Sequence, residues 1–249
     1  MAFLRRQKLV TAALVLYWPT LFVLAHIPTP QVVRKAHMYD KSLHLLAYMI
    51  LTFLLWSAIR PREKVHWRRA TVWCLLAIVA VYGVCDEYLQ HFVADRSMDP
   101  RDFVADVIGA VAALGMLTVL PFWPTSVIVA GTTIYTLAVF TRASLTALLP
   151  VTGTMFHLMT HAVFTLLWIG YLRQRAHPQR TGPLWVVASV SLPLALVAVT
   201  KASTMIAGKA FEGWDMIAAV AGIFGAVAAI WIAGMIEPRN GQQAEAKTS

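Results

Sequence analysis

The chain has 249 residues, 59% of them hydrophobic and 13% charged, with a positive mean hydropathy. A soluble domain of this length has too little interior to hide so much apolar surface, so lipid must solvate much of it. The net charge of +9 is therefore read first as a topology signal, and a nucleic-acid partner is not expected.

A spanning helix takes about 20 mostly apolar residues, which leaves room for about eight. Arg5, Arg6 and Lys8 precede the first apolar run, 9–26. The basic start imitates a signal peptide, but the run shows no small-residue cleavage site, so a retained first helix is expected. Further runs fall near 41–59, 70–92, 101–121, 125–148, 155–172, 183–200 and 214–236, each bounded by charge or proline. The polar stretch from Glu237 onward reads as a disordered tail.

The two cysteines, Cys74 and Cys85, share the third predicted helix. At eleven residues apart they lie about 16 Å from each other, too far for a disulfide. Both are expected to be inert core thiols.

Orientation follows the cations. Arg60, Arg62, Lys64, Arg68 and Arg69 crowd the short loop after the second helix. With Arg5, Arg6 and Lys8, and later Arg173, Arg175 and Arg180, they place both termini inside. The expected fold is an all-α membrane protein with N-in/C-in topology.

The halves resemble each other. Setting His44 on His157 puts Tyr48 on His161 and Thr52 on Thr165. Asp102 then falls over Asp215, and Ala105, Gly109 and Ala113 over Ala218, Gly222 and Ala226. Small residues four apart let membrane helices pack closely. Two parallel four-helix repeats are expected: residues 1–122 with the polar site, 123–238 as a degenerate copy, and 239–249 as a cytoplasmic tail.

Six of the twelve acidic residues lie between Asp86 and Asp106: Asp86, Glu87, Asp95, Asp99, Asp102 and Asp106. Within that window only Arg96 and Arg101 answer them. The stretch forms the outer end of the third helix and the start of the fourth, and charge inside lipid is costly unless it faces a bundle interior or a wet cavity. Glu87, Gln90 and His91 share a helix face. The bland account is a helix end emerging into water. Asp99-Pro100-Arg101-Asp102 reads as an N-cap, a proline at the first helical position and an acid in the first turn. Capping does not reach Asp106, one turn deeper. On the second helix Asp40 and His44 share a face, with Lys41 and Tyr48 beside it. A lone membrane histidine is often a hydrogen-bonded structural residue, but this one has acids arriving from two other helices.

These residues carry a resemblance. Asp40-Lys41-Ser42-Leu43-His44 before an apolar helix resembles the opening motif of VanZ-like membrane proteins. So do Asp86-Glu87-Tyr88-Leu89-Gln90, then Arg96-Ser97, then Asp102 with Gly109 beyond. The resemblance covers roughly residues 10–120. The family's namesake is associated with resistance to a glycopeptide antibiotic in Gram-positive bacteria. The family pattern usually has Asn where this chain has Asp106, so the cluster here is more acidic. In the second half Asp86, Glu87, Gln90 and Asp106 align with Thr200, Lys201, Thr204 and Ala219, so that copy loses the polar set.

Three function classes stay open. The resemblance implies a multi-pass protein of the bacterial inner membrane, in contact with the lipid bilayer and tied to envelope maintenance or antibiotic resistance. Its ligand would be a lipid, a peptidoglycan precursor or a glycopeptide-type antibiotic, bound at an acidic outer face by Asp40, Lys41, His44, Asp86, Gln90 and Arg96. The alternative is a membrane enzyme acting on a lipid-linked substrate. Glu87 with Asp102 or Asp106 would then be its acid–base pair, or His44, Glu87, His91, Asp102 and Asp106 would supply ligands for a divalent metal. No HExxH, nucleophile motif or phosphate-binding glycine loop specifies a reaction, and the sequence names neither cofactor nor oligomeric state. The third class is a small-molecule transporter, which would need deep polar residues in both halves.

Overall fold

The computed structural model describes residues 2–26, 37–61, 63–93, 98–140, 150–175, 182–208 and 213–246. The described residues form eight helices: α1 (Ala2–Ala25), α2 (His37–Ile59), α3 (Ala70–Gln90), α4 (Pro100–Val119), α5 (Phe122–Phe140), α6 (Pro150–Arg175), α7 (Pro183–Ile206) and α8 (Gly213–Ala246). All eight are long and apolar enough to cross a membrane, so this is a multi-pass membrane protein.

Large apolar side chains such as Val81, Val84, Val104 and Ile108 stand exposed on their helices. Lipid is the solvent for such faces. Cys74 and Cys85 belong to them: both are free and exposed, which corrects the core placement expected from sequence. They sit off the buried stripe of α3, which runs Val72, Leu75, Val79, Gly83, Asp86, Glu87 and Gln90. An α3-type spacing of three and four residues puts one stripe inside and leaves its neighbours to lipid.

The chain divides into two compact units, Met1–Val129 and Ala130–Ser249. In the first, α2 packs along α4, α1 lies against α2, and α3 lies against α4. The core gathers Tyr48, Leu51, Trp56, Val72, Val79, Ala113 and Leu114. Gly109 lets α2 and α4 touch: a Cβ there would sit 2.2 Å from the Leu45 carbonyl oxygen. At the end away from the acids, the cationic loop folds back onto the helices. Lys64 Nζ donates to the Val119 carbonyl at 2.7 Å, Trp67 Nε1 to Thr118 Oγ1 at 2.9 Å, and Arg6 to the Pro61 carbonyl. Glu63 accepts from Arg60 and Arg69, and the Arg69 hydrogen bond, aided by its charge, holds the Glu63 carboxyl below its ordinary range.

In the second unit α8 packs along α6, and α7 contacts both. Gly222 stands where Gly109 does in the first: a Cβ there would sit 2.2 Å from the Leu158 carbonyl oxygen. The aligned halves pair Gly109 with Gly222 and Leu45 with Leu158. The second unit is also less bare of polar groups than expected. His157, His161, Thr165, Thr200, Thr204 and Asp215 are all buried. Many of these bond within their own helix: His161 Nδ1 lies 2.8 Å from the His157 carbonyl, Thr165 donates to His161, and Thr200 donates to Leu196 and Val197.

Several helix ends lie outside the expected runs, among them the starts of α1 at Ala2, α2 at His37 and α6 at Pro150, and two C-terminal ends run well past expectation. α7 runs on to Ile206 because Lys201 does not end it; the lysine stays half-buried, its Nζ 3.5 Å from Met216 Sδ. α8 continues as backbone helix to Ala246 where a disordered tail was expected.

Candidate functional site

Three helix ends and the close of a fourth meet at one end of the first unit. α4 starts there with Asp99 as its N-cap and Pro100 in the first turn. Asp99 Oδ1 accepts the Arg101 backbone N–H at 2.9 Å, the capping bond that the sequence pattern foretells. The buried stripe of α4 begins with Asp102, Ala105, Asp106 and Gly109, so the same periodicity that packs Gly109 on α2 aims both acids inward.

Lys41, in the first turns of α2, bridges the rim. Its Nζ donates to Asp99 Oδ2 at 2.7 Å and to Asp102 Oδ1 at 2.9 Å. The Lys41 bond, with the Arg101 N–H second, holds the Asp99 carboxyl below the ordinary range. Asp102 is thus engaged by a lysine, more than by the helix dipole alone.

Below that rim lies a drier layer. His44 Nδ1 is 3.0 Å from Asp106 Oδ1 and 3.9 Å from Glu87 Oε1. Glu87 and Asp106 are each 1% exposed. The Glu87 carboxylate is oriented by its other oxygen, which accepts the Asp99 backbone N–H at 3.1 Å. Gly83 keeps α3 close to this layer: a Cβ there would stand 3.3 Å from Asp106 Oδ2. Glu87 Oε1 and Asp106 Oδ2 are buried with no hydrogen-bond partner. Buried polar atoms are nearly always bonded, which sets these two oxygens apart from the rest of the layer.

To one side, Gln90 donates to Asp86 Oδ2 at 2.9 Å, and His26 Nδ1 lies 3.9 Å from Asp86 Oδ1. Asp86 and Gln90 are buried. The end of α3 is therefore no solvated cap. Tyr48 and Tyr82 close the floor, ring centroids 5.8 Å apart, with Trp18 edge-on to Tyr82.

The structure brings together Lys41, His44, Asp86, Glu87, Gln90, Asp102 and Asp106. It does not bring His91 in: that residue follows α3 as its C-cap, is exposed, and stacks edgewise on Phe92. The His91 backbone stays in the helical region (φ -57°, ψ -28°), yet its side chain lies outside the buried stripe that closes with Gln90. Asp40 lies in the first turn of α2 with its side chain outside the described residues, and Asp95 and Arg96 lie outside them altogether. Sequence reasoning missed His26 and Tyr82. Tyr82 precedes Asp86 by four residues, a same-face spacing that was available to see. His26 carried no local signal, because its approach to Asp86 depends on how α1 packs.

The VanZ/LLP1 family model matches residues 6–123, a span holding α2, α3 and α4 with every acid of the site. Comparison with curated proteins and with solved structures gave no match. Residues 6–123, the stretch that carries the buried acidic site, are thus similar to the VanZ/LLP1 family.

Proposed function

We propose that the first unit binds the polar headgroup of a lipid-type cell-envelope molecule at this acidic helix-end site. Envelope maintenance or antibiotic resistance would be its consequence, at the outer face of a bacterial inner membrane. The observation that carries the reading is a charge imbalance inside the bundle. Glu87, Asp102 and Asp106 are all buried, and among the described residues the one lysine that meets them is Lys41, on Asp102, with His44 beside Glu87 and Asp106. Such a pocket favours a ligand bearing an amine or another cationic group.

An apolar groove supports the lipid part of the reading. It lies along the α3–α4 seam, encloses about 380 Å³, and is lined by Trp73, Leu76, Ala80, Val107 and Val111 among others. The groove and the site are built on the same two helices, α3 and α4.

The test is native mass spectrometry with lipid analysis of protein extracted under mild conditions. A bound envelope lipid that is retained by the wild type and lost from Asp102→Asn and Glu87→Gln supports the reading. Equal retention by all three contradicts it. The buried His44–Asp106 contact favours a second reading, a membrane acid–base enzyme acting on a lipid-linked substrate. Conversion of the retained lipid, abolished by Asp106→Asn, would select it.

Internal duplication is proposed on the paired glycine contacts. A second match supports it: Thr154 Oγ1 donates to Asp215 Oδ1 at 3.4 Å, at the positions aligned with Lys41 and Asp102.

A further inference from the structure

We infer that His44, Glu87 and Asp106 form a binding site for a single first-row divalent cation, of the Zn²⁺ or Mn²⁺ class. The inference goes beyond the headgroup reading and stands without it. One donor atom from each of the three residues lies within 4.8 Å of the other two, and the three come from three different helices. The His44 Nδ1 separations of 3.0 Å and 3.9 Å bracket the edge of about 3.4 Å that a tetrahedral ion with bonds of ~2.1 Å imposes on its ligands.

Burial and orphaned atoms supply the independent argument. Glu87 Oε1, the oxygen 3.9 Å from His44 Nδ1, belongs to a residue 1% exposed and has no hydrogen-bond partner; Asp106, equally buried, meets His44 through Oδ1 at 3.0 Å and leaves Oδ2 without one. Two carboxylates taken out of water need compensating charge or must neutralise. A divalent cation satisfies both at once. The Asp99 N–H on Glu87 Oε2 fixes that carboxylate as an outer-shell bond fixes a metal ligand.

The donor set narrows the ion. One imidazole and two carboxylates suit Zn²⁺, Mn²⁺ or Fe²⁺ and disfavour soft Cu⁺. The only thiols of the chain, Cys74 and Cys85, are exposed on α3. Asp102 is held by Lys41 and His91 is exposed, so neither joins the set although both have ligand chemistry. A lysine-bound Asp102 also keeps the ammonium at the rim, away from the ion.

The experiment uses full-length protein in nanodiscs, stripped with chelator and titrated with Zn²⁺ by calorimetry and with Co²⁺ by absorption. The expected result is one ion per chain. Glu87→Gln and Asp106→Asn, isosteric changes that keep packing, should each weaken binding at least about tenfold, while His91→Ala binds as wild type. Thermal unfolding of each apo protein confirms that the variants are folded. Absence of stoichiometric binding to wild type, or equal loss in His91→Ala, overturns the inference. Lipid retention measured on the same samples separates the two readings. A chain that binds no metal yet keeps its lipid overturns this inference and leaves the headgroup reading standing.

Discussion

His44 and Asp106, 62 residues apart in sequence, meet at 3.0 Å inside the first unit. Removing one partner of a buried pair leaves the other uncompensated, at a cost of about 3 kcal/mol. His44→Ala should lower the unfolding free energy by roughly that amount. In that background Asp106→Asn should cost less than it does in wild type. A double-mutant cycle in detergent reads the coupling, and additivity within about 0.5 kcal/mol would show that the contact carries no energy.

Gly109 and Gly222 make the same demand on their units. Gly109→Ala drives a Cβ into the Leu45 carbonyl and Gly222→Ala into that of Leu158. Overpacking costs about 1–3 kcal/mol, and here backbone must move. Gly115→Ala on α4 is the control, since nothing lies within 4 Å of its Cβ position. It should be neutral or slightly stabilising by helix propensity. Thermal midpoints of the three variants decide this, and a Gly109→Ala midpoint equal to that of Gly115→Ala would remove the close-packing account.

Asp99 predicts an acid limb. Its folded-state carboxyl is held low, chiefly by Lys41. A group lowered on folding stabilises above its unfolded pKa of ~3.9, and that contribution disappears as pH falls through the lower folded value. The pair is therefore intact at neutral pH and is lost only in strong acid, and salt weakens it because the rim is partly exposed. Asp99→Asn should flatten this limb while keeping a capping side chain. Asp99→Ala should lose about 1 kcal/mol of cap as well. Thermal midpoints followed from pH ~7 down to ~1.5, below the ordinary carboxylate range, test both, and an unchanged limb in Asp99→Asn would exclude the pair as its source.

The cationic loop predicts orientation. In a chain with Cys74 and Cys85 replaced by alanine, Met98→Cys should react with an impermeant maleimide on intact cells. Arg68→Cys should react only after lysis. Both parent residues are exposed. The reverse pattern would invert the proposed topology.

Much of the fold was legible because lipid selects for long apolar runs, and eight such runs became eight helices. Boundaries were less so. Lys201 looked like an end because charge usually marks one, yet its long stem lets the helix carry it onward. The site was legible where helical spacing alone decides a face, as for Asp102 and Asp106, or Glu87 and Gln90. Partnerships were not. Nothing local says that Lys41 takes Asp102, that His26 reaches Asp86, or that Cys74 and Cys85 face lipid; each depends on how neighbouring helices are rotated. His91 has the helical spacing from Glu87 but stays exposed, because the buried stripe of α3 closes with Gln90.

On the proposed function, the buried layer of Glu87 and Asp106 does the work of the chain and the buried Asp215 of the second unit does not. The direct measurement is complementation of a deletion strain, scored for survival under envelope stress and under a glycopeptide antibiotic, with membrane levels matched. Glu87→Gln and Asp106→Asn should lose the phenotype and Asp215→Asn should keep it. Full complementation by both Glu87→Gln and Asp106→Asn would contradict the account.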